Sequence, residues 1–198
     1  MQGNVKGMSQ ANEILDFWFG SPDEPDYGKP RKSWFAKEPE FDEKLRSRFL
    51  TDYEKAAGGH LDEWKDSPLD CLALILLLDQ FPRNLFRETP QAFATDWEAL
   101  STAHQAIAQG YDRKLLNVQR WFVYLPFEHS ENIDHQRQSV KLFQKLSGDK
   151  ESAKAIESAI RHRSVIERFG RFPHRNIILG RPSTPEEKEF LKEPGARF

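Results

Sequence analysis

The chain of 198 residues carries 29 Lys and Arg against 31 Asp and Glu, a formal net charge of −2, so no bulk positive field recruits nucleic acid or an anionic membrane surface. Aromatic residues make up 12% of it, with five Trp and fifteen Phe, enough to build a sizeable core in one domain. A single Cys excludes an intramolecular disulfide, and no secretory leader, transit peptide or transmembrane run is visible, so a cytoplasmic location is expected.

Residues 1–8 show no apolar pattern and are expected to form a flexible extension ahead of one helical domain over 9–198. Gln10–Phe19 reads as a short amphipathic helix with Ile14, Leu15, Phe17 and Trp18 clustered. Gly20–Pro30 is a Pro/Gly/Asp loop. Pro39–Ala57 places Phe41, Leu45, Phe49 and Tyr53 at helical spacing and closes at Gly58-Gly59. Ser67-Pro68 then starts the most apolar segment, with Ser as N-cap, Pro in the first turn and Asp70 near the positive end of the dipole. Cys71–Leu78 is apolar at every position. That run is too short for a bilayer span of about 20 residues. It predicts a buried central helix, with Cys71 an inert thiol. Asp79 and Gln80 extend it and carry a carboxylate toward the interior, where it needs a partner; Arg83 is the nearest in sequence. Pro82 is expected to break this helix, holding Phe81 extended and Arg83-Asn84 in a turn.

Thr89-Pro90 starts a helix over Gln91–Gln109 with Trp97 on its core face. Asp112 caps a helix to about Tyr124, with Trp121 in the core. Pro126 is expected to open the next, running to about Leu146. That would put Glu128 in its first turn and Glu128, Glu131 and His135 on one face. Lys150–Phe169 closes at Gly170, and Thr184-Pro185-Glu186-Glu187 is a capping box for a last short helix. No alternating strand of useful length is present. Helices joined by short loops predict an all-α fold of stacked antiparallel helix pairs.

Three polar constellations stand out. The first is Asp79, Gln80, Arg83, Asn84 and Arg87; the second runs from Tyr124 to Glu131 and on through Asp134, His135 and Gln136. The third is Arg168–Asn176, ending at Arg181. Phe81-Pro82-Arg83-Asn84 parallels Phe172-Pro173-His174-Arg175-Asn176, so two similar helix-ending turns are expected. Between Arg161 and Arg181 lie six Arg and one acid, Glu167. These groups could neutralise one another in a network that fixes helix register. They could instead leave an Arg pocket shaped for a carboxylate or phosphate. In the pocket reading Asp79, Glu128 and His129 are the acid–base candidates. Arg83, Asn84, Glu131, Arg171, His174, Arg175 and Asn176 bind the ligand, and Asp79 and Glu128 are partly accessible. His129 and His174 read equally as structural histidines, and Glu128 as a dipole partner. The Glu128, Glu131 and His135 face could ligate a metal, but such a face is more often solvated or ion-paired, so no metal is expected; no phosphate loop or dinucleotide fingerprint points to a cofactor.

The segments LLLDQFPRNLFR, YLPFEHSE and FGRFPHRNIILGR, with Ile14–Gly20 ahead of them, resemble the largely bacterial domain-of-unknown-function family 924 over nearly all of Ile14–Leu191. All ten candidate residues stand in matching motifs. The resemblance implies a tetratricopeptide-like all-α fold and brings no assigned activity. Glu88 departs from the family's FRGTP pattern, which has Gly there, and a turn with positive φ would be strained for Glu. Two kinds of partner are compatible with these features: a small anionic molecule in a polar pocket, or a peptide held in an Arg-lined groove of a tetratricopeptide-like scaffold. Nucleic acid and membrane are not expected partners.

Overall fold

A computed structural model describes residues 9–196; the extension expected over 1–8 lies outside them. The central element is one continuous helical rod in three parts. Helix α3, Pro68–Ile75, begins where the Ser67 hydroxyl accepts the backbone N–H of Asp70 at 3.3 Å. A π-helical turn follows at Leu76–Gln80, and α4, Phe81–Leu85, completes the rod. Every side chain from Cys71 to Pro82 is buried. Burial pushes the Cys71 thiol up to about 12, so it is an inert buried group.

Pro82 does not break this rod. Phe81 is helical, with φ −60 and ψ −42, and its N–H bonds to the carbonyl of Leu76, five residues back. The wider π-turn takes up the proline ring, which an α-helical register would drive against the Leu78 carbonyl. Pro82 brings no N–H to that carbonyl. The Thr95 hydroxyl donates to it instead, at 2.6 Å, and the Arg83 guanidinium donates to the carbonyl of Asp79.

The other helices wrap the rod. Helix α1, Gln10–Phe19, packs on α3, and α2, Pro39–Ala57, packs on α4. Helix α5, Asp96–Ala108, lies on α3 and the π-turn. From there neighbours in sequence are neighbours in space: α6, Asn117–Glu128, on α5; α7, Ile133–Gln144, on α6; α8, Ala153–Phe169, on α7. Trp18 joins the ends of the core, its ring 5.5 Å from Phe81 and 5.6 Å from Phe122, while the Trp34 indole donates to the Trp18 carbonyl at 2.8 Å. The short α9, Pro185–Phe190, is closed by the Thr184/Glu187 capping box. Among the described residues there is no strand, and the fold is all-α.

Four local expectations are corrected. Pro126 lies inside α6, and α7 begins only at Ile133, where the Asn132 side chain accepts the N–H of Asp134 and His135. Glu128 is therefore the last residue of α6, and it shares no helix face with Glu131 and His135. Helix α5 starts at Asp96 after a separate 3-10 turn at Pro90–Phe93, which leaves Trp97 72% exposed, whereas Trp121 is buried. Phe172 is extended, with φ −89 and ψ 106, unlike helical Phe81. Gly170 has already ended α8 in the left-handed region at φ 68, so Pro173 starts a fresh 3-10 turn. Glu88 keeps the left-handed turn, at φ 62.

Candidate functional site

The π-turn aims Asp79 inward, where its side chain is 0% exposed. π-turns inside α-helices recur at functional sites because they displace side chains from the regular helical register. The Asp79 carboxylate meets three groups. His129, the C-cap of α6, brings Nδ1 to Oδ1 at 2.7 Å. Arg83, one turn further along the rod, places Nη1 3.4 Å from the same oxygen. The Gln80 amide donates to Oδ2 at 2.6 Å. Burial drives the Asp79 carboxyl up, but His129 and Arg83 outweigh it and hold the group below the ordinary carboxylate range.

Arg83 continues the chain of charge outward. Its Nη1 lies 2.9 Å from Asp96 at the start of α5. Arg175, from the 3-10 turn after α8, approaches the other oxygen of Asp96 at 3.6 Å. The Arg175 side chain is only 8% exposed. Its guanidinium is sandwiched between Phe93 and Phe172, with ring centroids at 4.7 and 4.6 Å. Arg83 stands over the same Phe93 ring at 5.7 Å. The rings offset part of the desolvation of two cations, yet neutralisation is incomplete. Among the described residues, Arg83 Nη2 and Arg175 Nε are buried with no hydrogen-bond acceptor. Burial first, and then the neighbouring Arg83, pull the Arg175 guanidinium down to about 10. For His129, burial and Arg83 press the imidazole below its usual range, against the pull of Asp79 and Asp96.

Four of the predicted residues, Asp79, Arg83, His129 and Arg175, thus meet from three distant stretches of chain. Asn84, Glu128, Glu131, Arg171 and Asn176 make their hydrogen bonds elsewhere. Asn84 donates to Asp42 at 2.7 Å beside Arg87. Glu128, 1% exposed, turns the opposite way to accept the Ser158 hydroxyl at 2.8 Å, with His162 Nδ1 at 2.9 Å. Glu131 is forked by Arg181 at 2.7 and 2.9 Å and accepts the Phe172 N–H. Arg171 grips Glu187 with two bonds, at 2.6 and 2.8 Å, and Asn176 donates to the same carboxylate. His174 is pushed down to about 3, by burial and then by Arg175 and His162. Asp79 and Glu128 are both buried, contrary to the expectation of access. The partly exposed members are instead His129 at 14%, Arg83 at 19% and Asp96 at 24%.

Asp96 and Phe93 were missed in the sequence. Asp96 looks like an ordinary acid within a long helix, and only the true start of α5 at that residue turns its carboxylate toward the two arginines. Two surface hollows, one lined by Glu24, Asp26, Lys29 and Arg31 and one by Tyr27, Gly28, Leu116 and Asp149, hold none of these groups. The converging charges rather than the hollows mark the site.

The model of a family described as bacterial proteins of unknown function, DUF924, matches residues 14–195. The chain belongs to the DUF924 family. The chain is also similar to a solved structure, that of ATU0120 from Agrobacterium tumefaciens, a protein of unknown function, with 42% identity. The match covers 92% of this chain and 96% of that one, with a TM-score of 0.81. No curated protein matches. The whole Asp79–Arg83–Asp96–His129–Arg175 cluster lies inside the DUF924 stretch. Among the described residues no helix is long and apolar enough to cross a membrane.

Proposed function

We propose that the cluster binds a small oxyanion, a carboxylate or a phosphate, between Arg83 and Arg175. The observation that carries this reading is the pair of converging guanidinium groups with unspent donors, Arg83 Nη2 and Arg175 Nε. A buried donor left unpaired costs about 1–3 kcal/mol, more when the group is charged, and two like charges this close repel. An anion lodged between them would relieve both terms. Asp96 holds the two arginines together but satisfies Arg175 only at 3.6 Å, so it leaves room for a second acceptor. A peptide groove lined by arginines is supported less, because Arg171 and Arg181 spend their forks on Glu187 and Glu131.

Thermal unfolding in phosphate, sulfate and acetate tests the proposal. A specific site stabilises by RT ln(1 + [L]/Kd), about 1.4 kcal/mol at ten times Kd. Phosphate and sulfate also stabilise proteins generally by exclusion from the surface, so the comparison is with Arg83→Gln and Arg175→Gln. The wild type gains more than both variants at equal anion concentration if the site is real. Equal gains in all three proteins would refute it.

A further inference from the structure

Anion binding between Arg83 and Arg175 makes no use of the His129 imidazole beside them. We propose that the centre hydrolyses a phosphomonoester, with His129 Nε2 taking the proton of the attacking water. This rests on the oxyanion site, and it adds an activity to it.

The tautomer is fixed by the neighbours. Asp79 is ionised and can only accept, so the 2.7 Å contact requires a proton on His129 Nδ1. The lone pair then sits on Nε2, which takes no hydrogen bond from the described residues, on a side chain that is 14% exposed. Burial and Arg83 keep this imidazole neutral at pH 7, as a general base requires. Asp79 is a positioning residue: it orients the ring and stabilises the imidazolium once formed.

The substrate class follows from the unspent donors. Arg83 Nη2 and Arg175 Nε belong to two guanidinium groups on separate elements, and the Arg175 side chain is more than nine-tenths buried. A single planar carboxylate is best met by one in-plane fork. Two donors from two groups suit a tetrahedral phosphoryl group, whose oxygens diverge. In the step, the water oxygen attacks phosphorus and the bond from phosphorus to the ester oxygen breaks. His129 accepts the water proton and returns it to the departing alkoxide. The products are inorganic phosphate and an alcohol, with no change of oxidation state. Arg83 and Arg175 hold the non-bridging oxygens and the charge that develops on them.

The experiment measures p-nitrophenolate release from p-nitrophenyl phosphate, alongside phosphate binding by calorimetry. The wild type should turn over, with a rate that falls on the acid side as His129 protonates below the ordinary imidazole range. His129→Asn keeps a donor for Asp79 but removes the base. Its rate should drop about 100-fold or more with phosphate affinity retained. Should that variant fail to fold, the acid limb of the wild-type profile and a raised KM in Arg175→Gln carry the test. Phosphate binding without turnover, or full activity in His129→Asn, overturns the catalytic proposal and leaves the oxyanion site standing. Absence of phosphate binding would remove the site as well.

Discussion

His174 and His129 are both held neutral by their surroundings, and this sets how the fold responds to acid. Burial first, then Arg175 and His162, take His174 from 6.5 to about 3. A base whose folded value is depressed loses stability as pH falls, because the unfolded chain takes up the proton first. The loss begins near 6.5 and continues toward the folded value. Between pH 7 and pH 5 the His174 contribution is about 1–2 kcal/mol, at roughly 1.4 kcal/mol per unit. His129 adds to it in the same direction. Asp79 acts lower, since its depressed carboxyl stabilises above 3.8 and that gain is lost only as pH falls below this value. Urea unfolding at pH 7 and pH 5 should show the wild type losing stability and His174→Gln losing less. A variant as acid-sensitive as the wild type would mean that His174 is not the group being titrated.

Among the elements, the two prolines show why helix boundaries are hard to read. Isolated-helix rules place a break at Pro82 and a start at Pro126, and neither holds. The missing N–H of Pro82 is offset by Thr95, a residue on another segment, and its ring by the π-turn. Both remedies are tertiary, so they leave no local signal. The central helix, the Ser67 cap and the Thr184 box were legible because their determinants lie within a few adjacent residues. The turn at Glu88, by contrast, was expected only from the family pattern, and it carries strain. A non-glycine residue at φ 62 costs about 1 kcal/mol, and its exposed pair with Lys37 at 3.1 Å returns little. Glu88→Gly should therefore raise stability by about 0.5–1 kcal/mol, after the greater chain entropy of glycine is subtracted. Chemical denaturation measures this, and a neutral or destabilising result would show that the Lys37 pair matters more than the turn.

For the whole molecule, the question was how six arginines between Arg161 and Arg181 are neutralised. Most of that charge is internal. Arg181 takes Glu131, Arg171 takes Glu187, Arg168 takes Glu186 and Arg163 takes Glu167. Of these, the Arg181–Glu131 and Arg168–Glu186 pairs join the C-terminal segment to the helical body. Arg175 is different, for it is driven into an aromatic sandwich beside a second arginine with only a long contact to Asp96. Composition and motif showed that Arg83, His129 and Arg175 were chemically suited to one another. Only the path of the rod past α5 and α6 shows that they meet, and Asp96 had no signal beyond that of an acid inside the expected Gln91–Gln109 helix. The most direct measurement is a phosphate titration of arginine-labelled protein, following the Nε–H resonances by nuclear magnetic resonance. The Arg175 resonance should shift saturably and lose its exchange with water, with Arg83 following at the same midpoint. If both stay still while resonances of exposed arginines move, the two guanidinium groups do not form an oxyanion site.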